Sequence, residues 1–347
     1  MAGLFDVHYR VKEIRGKQTP LAKLNLVIDW EIFRPILDAS FAKEPKGLGG
    51  RPSFDKILMF KITVLQRYYN LSDEQAEFQI KDRFSFMDFL GLSLTDKVPD
   101  EKTIWAFKEH ISKDGLSQKL FELFTNTLSS NGIIAKEGSI VDASFVDVPR
   151  QRNKKDENAD LKQGAIPLEF AKLDKNGKQS ILAQKDCDAR WATKNSEKHF
   201  GYKNHVNADK STKIITRYSV TNAAPHDSTE LTKIVDNNDK ALYADSAYRS
   251  KEIEGYLASI GCESFVHEKG YRNNPLTDTQ KESNKAKSKI RARVEHIFGF
   301  MTNSMNKGLE LKAIGKQRIE SLVGLLNLTY NLFRYEQLVR FQRVRAI

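Results

Sequence analysis

Cysteine is nearly absent from this sequence. The 347 residues contain two, Cys187 and Cys262, in unrelated contexts and without a C-x-x-C spacing. That excludes a disulfide framework and a zinc ribbon, and leaves two reduced thiols as the simplest reading. Also missing is any run of about 18 to 20 apolar residues, the length a helix needs to cross a bilayer. The opening stretch MAGLFDVHYRVKEIRG lacks the apolar core of a signal peptide, so a cytoplasmic protein with no membrane partner is expected. Acidic residues are in deficit: 45 Asp and Glu stand against 56 Lys and Arg, a formal net charge of +11. Such a balance favours a polyanionic partner, because basic groups set against phosphates release condensed counterions. No internal repeat is present.

What is there falls into two halves with different periodicities. Up to about Asn131 the pattern is helical. GGRPSFDKILMFKITVLQRYYNLS offers a breaker, Ser53 as N-cap, and apolar residues at Ile57, Phe60, Val64 and Tyr68. New helices are expected to start at Ser72 and Asp100, and DEKTIWAFKEH is either the groove-reading helix of a helix-turn-helix or part of a packing domain. Beyond Gly132 the segments GSIVDASFVD, FGYKNHVNAD, KIITRYSVTNA, KALYADSAY and CESFVHE read as strands. Helices are expected from near Asp227, over SKEIEGYLASIG, and along the basic stretch KSKIRARVEHIFGFM. The order β-β-β-α-β-α-β-α fits an α+β or α/β protein: a helical domain over 1–131, then a ribonuclease-H-like domain with a mixed sheet over 132–347. The segment at about 149–198 is polar and poor in periodicity, and reads as a mobile loop or a nucleic-acid-facing insertion. LVGLLNLTYNLFRYEQLVRF reads as a C-terminal helix packed on the sheet.

Two expected strands end in aspartate: Asp142 follows Ile140 and Val141, and Asp245 follows Leu242 and Tyr243. In open α/β sheets chemistry gathers beyond the carboxyl ends of strands, so the two are placed to share a site, although either alone reads as a strand-terminating turn. Glu295 borders the apolar stripe Ile290, Val294, Ile297 and Met301 of the basic helix, with Arg291 one turn before it. Alone, that is an Arg/Glu surface pair. Taken with the two aspartates, it becomes a third carboxylate able to point into a shared site. Three carboxylates repel one another, and divalent cations relieve the repulsion; two such ions can drive in-line attack on a phosphate.

The blocks GSIVDAS, HFGYKNHVNADKSTKIITRYSVTNAAPHDS, YADSAYRS and IRARVEHIFGF, together with GRPSFDKILMFKITVLQRYYNLSDEQAEF and VPDEKTIWAFKEH, resemble those of the DDE transposases of bacterial insertion sequences, specifically the insertion-sequence-five (IS-five) family. The resemblance implies that Asp142, Asp245 and Glu295 form a catalytic triad holding Mg2+, with Mn2+ as a substitute, and that Arg291 is the arginine of the same signature. It implies cleavage at element ends and transfer of the 3′ hydroxyl into target DNA. Partners would be double-stranded DNA at the terminal inverted repeats and at the target, and a homodimer or larger assembly, nucleoid-associated when on DNA. The alternatives are a repressor derived from a transposase and a ribonuclease-H-like nuclease without strand transfer. Thr302 stands where the family often has a basic residue, and Lys307 or Lys312 is the candidate substitute. Further DNA contacts are expected from Lys203, from His205, and from Trp191 by stacking on an unpaired base. His199, His205 and His226 read more simply as hydrogen-bonded structural groups than as a metal cluster.

Overall fold

The computed structural model describes residues 6–16, 18–42, 53–177, 181–194, 196–271 and 274–345. The described chain divides into two compact units. The first begins with the helices α1 (Asp6–Gly16), α2 (Pro20–Val27), α3 (Arg34–Ser40), α4 (Lys56–Tyr69), α5 (Asp73–Asp82), α6 (Phe84–Leu90), α7 (Glu101–Lys113) and α8 (Leu116–Ser130). Short helices depend on capping of their first N–H groups. Ser72 and Gln75 form a reciprocal capping box on α5, and Asp100 caps α7 through Thr103 N. On α4 the cap is Asp55 rather than Ser53. The Asp55 carboxylate accepts the Leu58 N–H at 3.0 Å, while Ser53 Oγ accepts from Lys56 Nζ. A charged acceptor is the stronger cap at the positive end of a helix.

Ile57, Phe60 and Val64 are buried as their spacing predicts, but α4 also buries Lys61, Gln66 and Arg67. Asp73 supports this polar side, accepting from Gln66 Nε2 at 2.7 Å and pairing with Lys108 Nζ at 2.5 Å. Residues 303–308 and the described chain from Gly324 onward belong to the same unit. Within it Tyr68 stacks on Phe333 with ring centroids 3.9 Å apart.

The second unit, 134–302 with 309–323, is built on a mixed sheet. Its strands are β1 (Ser139–Asp147), β2 (Arg190–Lys194), β3 (Glu197–Asp209), β4 (Ile215–Asn222), β5 (Ala241–Ala244) and β6 (Glu263–Val266), in the order β2-β3-β1-β5-β6 with β4 also on β3. β3 is antiparallel to β1, β2 and β4, whereas β1, β5 and β6 run parallel. This is the α+β arrangement with a mixed sheet that the strand order suggests.

The polar segment 149–198 is structured over much of its length. It contains α9 (Lys155–Lys162), α10 (Leu168–Ala171) and β2. Asp186, 2% exposed, anchors it: Oδ1 accepts from Tyr202 Oη at 2.8 Å and from Ala189 N, and Oδ2 accepts from Gly315 N at 3.0 Å. Order held by a buried carboxylate leaves no apolar period in the sequence.

α11 (Leu231–Ile234) and α12 (Lys251–Ser259) bury Leu231, Ile234, Ile253 and Leu257 against Val141, Leu242 and Ala244 of the sheet. The basic helix, expected to be continuous, is α13 (Asp278–Arg291) and α14 (Glu295–Gly299), separated by a tight turn at 292–294 and followed by a π-type turn at Phe300–Ser304. In the break the bonds run three residues back, including Val294 N to Arg291 O at 3.0 Å. α13 buries no side chain, whereas Val294, Ile297 and Met301 are fully buried, so the tightened turn advances the apolar stripe into the core.

The last helix, α15 (Lys316–Arg340), begins in the sheet unit, where Ile319 and Val323 pack with Val146, Val148 and Tyr202. From Gly324 it belongs to the helical unit, so only its start packs on the sheet as expected. Among the described residues no helix is long and apolar enough to cross a membrane.

Candidate active site

The register of two parallel strands creates the centre of the site. Ile140 on β1 lies opposite Tyr243 on β5. Two residues further along each chain come Asp142 and Asp245, and because side chains alternate with a period of two, both leave the same face of the sheet. Asp142 is not at a strand end, because the long β3 pairs with β1 as far as Asp147. It is β5 that stops, and Asp245 caps the following turn, accepting Ala247 N–H at 2.9 Å.

α13 is pinned over the ends of β5 and β6. The Asn284 side chain bonds both the N–H and the C=O of Glu268, Lys287 Nζ donates to Val266 O at 3.0 Å, and Ser288 Oγ meets His267 Nε2 at 3.3 Å. The last turn of α13 thereby delivers Arg291. Its Nη1 donates to Asp142 Oδ2 at 3.2 Å, and its Nη2 lies 3.6 Å from Glu295 Oε1. The Asp142 side chain is 17% exposed and that of Glu295 is 64% exposed. Arg291 therefore ties together two of the three carboxylates named from the sequence, and its buried Nε has no hydrogen-bond partner among the described residues.

Burial pushes the Asp142 carboxyl up to about 6, and the charge of Asp245 adds to the rise, against the opposing pull of the Ala143 N–H, Arg291 and Lys194. Burial and Arg291 push His267 down, favouring its neutral form. Among the described residues no group of three or more His, Cys, Asp or Glu side chains could together hold a metal ion. The two aspartates still fit a hard divalent cation, which commonly takes one or two protein carboxylates and completes its shell with water and phosphate oxygens. An Asp142 whose charge is disfavoured by burial and by Asp245 gains from such a neighbour.

The remaining residues singled out from the sequence fall in different settings. Trp191, 47% exposed, lines an open cavity of about 520 Å³ with Ser144, Phe145, Lys194 and His226. Lys203 lines it as well, but its ammonium pairs with Asp227 at 2.8 Å and donates to Pro225 O at 2.7 Å. His205 is fully buried with Nε2 on Thr221 Oγ1 at 2.8 Å, so its ring offers DNA no surface for direct contact. His199 stacks on Phe145, and His226 caps the turn at Asp227. Lys307 lies in the 303–308 segment of the helical unit, outside the unit that carries the carboxylates, while Lys312 lies in the sheet unit. Thr302 donates to Phe298 O within its own helix. Sequence reasoning passed over Lys194, whose charge bears on Asp142 from far along the chain. A lysine at the end of a short polar strand gives no signal of its own.

Residues 9–110 match the family described as Transposase domain (DUF772), and residues 134–332 match the family described as Transposase DDE domain. Among solved structures, the chain is similar to the piggyBac transposase in a cryo-EM synaptic complex with hairpin DNA. The TM-score is 0.46 and the identity 12%, over 97% of this chain and 78% of that one. The DDE domain match spans more than half of the sequence and contains both strand aspartates, Arg291 and Glu295, and the chain belongs to the DDE transposase family.

Proposed function

We propose that this DNA transposase is an enzyme of the insertion-sequence-five family that cuts at the ends of its element and joins the freed 3′ hydroxyl to target DNA in a reaction dependent on a divalent cation. The observation that carries the reading is the register that sets Asp142 beside Asp245 on parallel strands, with Arg291 reaching over from α13. When bound there, Mg2+, or Mn2+ in its place, would sharpen the attacking oxygen and take up charge on the leaving one.

Asp142 and Asp245 would hold the cation. Glu295, exposed and tethered through Arg291, would be the third carboxylate of the set. Arg291 would offer a phosphate oxygen its Nη groups and the Nε that has no partner among the described residues. The exposed Lys281, Lys285 and Lys289 along α13, and Arg293 in the turn after it, meet the DNA backbone near the site. The cavity with Trp191 and Lys194 receives DNA beside Asp142. The helical domain, 1–131, recognises element ends or assembles the complex. Because an element has two ends, the working form on DNA is a dimer or larger.

The test is cleavage of terminal-repeat DNA with Mg2+ by Asp142→Asn, Asp245→Asn and Glu295→Gln, with DNA binding followed by gel shift. Each substitution keeps size and removes a metal-binding charge, so cleavage should be lost while binding persists. A variant that cuts at the wild-type rate removes its residue from the triad.

A further inference from the structure

Beside β2 and α9 lies a second open cavity, of about 660 Å³. Its floor is apolar, made by Leu161, Ala189 and Phe200, none of them more than 4% exposed. Its wall is Trp191, whose ring centroid lies 5.1 Å from that of Phe200 and which the Arg150 guanidinium approaches to 5.8 Å. An aromatic wall over an apolar floor, at a volume ordinary for ligand pockets, suits a flat ring.

The polar lining is made of donors. Asn158 and Asn222 use Oδ1 to accept from Asn153 Nδ2 at 3.2 Å and from Ala224 N at 3.0 Å, and no described residue accepts from their Nδ2 groups. Arg190 donates to the carbonyls of Leu161, Cys187 and Ala189 and pairs with no carboxylate among the described residues. Lys162 adds a second cation, and no described Asp or Glu lines the cavity. Donors and cations around a flat apolar slot match a ligand that is planar, rich in acceptors and anionic, as a nucleotide is. The position of the cavity points to the source of that nucleotide. Trp191, Ala224 and Pro225 also line the cavity that reaches Ala143 and Ser144, next to Asp142. A DNA strand passing Asp142 through the first cavity therefore meets the second at Trp191.

We propose that this cavity holds one unpaired nucleotide of the DNA strand that passes the aspartates, with its base stacked on Trp191, its acceptor edge toward the Asn158 and Asn222 amides, and its phosphate toward Lys162 and Arg190. The inference rests on the DNA reading proposed above. Every base has a face to stack, so the site selects for an unpaired nucleotide and tolerates its identity.

The experiment uses the full chain without divalent cation, so that it does not depend on the cation site. Two terminal-repeat duplexes of equal length are compared, one blunt and one ending in a short unpaired tail that carries 2-aminopurine. Wild type should bind the tailed duplex more tightly and quench its 2-aminopurine. Trp191→Ala should abolish the quenching and weaken binding of the tailed duplex about tenfold more than that of the blunt one, the loss of one base–aromatic stack. Trp191→Phe should restore most of the difference. Ala224→Glu, at an exposed position of the lining, should also erase the preference by setting a carboxylate there, which keeps the test open if Trp191→Ala fails to fold. Equal losses on both duplexes, or a wild type that binds tailed and blunt DNA alike, overturn the proposal. So does equal quenching of free 2-aminopurine deoxynucleoside monophosphate at the same concentration, which would make this a site for free nucleotides. A wild type that binds neither duplex takes down the DNA reading itself, whereas one that binds both without preference removes only the role of this cavity.

Discussion

Replacing Arg291 with alanine removes one guanidinium from two carboxylates at once, and double-mutant cycles can apportion the loss between them. The contact with Glu295 spans 3.6 Å to a side chain 64% exposed. An i,i+4 pair in that setting is worth roughly 0.3–0.5 kcal/mol. The contact with Asp142 is a 3.2 Å hydrogen bond between side chains 24% and 17% exposed. Hydrogen bonds to charged groups contribute about 1.5–3 kcal/mol. The remaining exposure of Arg291, and the Ala143 N–H already bonded to Asp142, bring the expected coupling to about 1–2 kcal/mol. The two cycles are Arg291→Ala with Asp142→Asn and Arg291→Ala with Glu295→Gln, both without divalent cation. Native-state hydrogen exchange at amides of β1 and β5 is the suitable readout, because it reports the opening of this sheet whatever the helical unit does. A coupling to Glu295 equal to or larger than that to Asp142 would refute the placement of Arg291. So would two couplings both under about 0.3 kcal/mol, the surface-pair value.

Two further perturbations test the packing inside each unit. Lys61 is buried between Trp30 and Phe89, with its ammonium 5.3 and 4.7 Å from their ring centroids, and burial lowers its pKa from 10.5 to about 8 in spite of Asp88. Between about 8 and 10.5 the unfolded chain holds a proton that the folded chain has released, so stability rises with pH across that window, by at most about 3 kcal/mol from this group. Urea midpoints of the helical unit at pH 7.5 and 9.5 should therefore differ more in wild type than in Lys61→Met, and equal differences would deny the burial. Gly201 on β3 has φ +151°, and a Cβ there would lie 2.2 Å from Val146 O and 3.2 Å from Val148 N, both backbone atoms of the strand that carries Asp142 or just beyond it. Gly201→Ala should cost about 3 kcal/mol or more by forcing β1 and β3 apart. A melting temperature within about 2 °C of wild type would contradict that contact.

How much of this was legible in the sequence depends on how far along the chain the deciding partner sits. The capped helices at Ser72 and Asp100 and the buried stripe Val294, Ile297 and Met301 follow from local spacing, and they are where the spacing puts them. Asp142 and Asp245 stood out because each follows a pair of residues that read as a buried strand. The partner of Arg291 was not legible. The local rule points it at Glu295, four residues away, whereas its shorter contact is to Asp142, 149 residues away. The break at 292–294 has the same origin, since a 3.6-residue period carries no information about a helix pinned at Asn284, Lys287 and Ser288 to the end of β6.

The most consequential residues for the chemistry also include several that never touch it. Asp142 and Asp245 are neighbours only because Ile140 pairs with Tyr243, and that pairing is kept in register by Val141, Leu242 and Ala244 packing against Leu231, Ile234 and Leu257. A slip of one residue would send one aspartate to the opposite face of the sheet. The apolar residues of β1 and β5 therefore carry the geometry of the site, and the charges read most easily from the sequence take their positions from it.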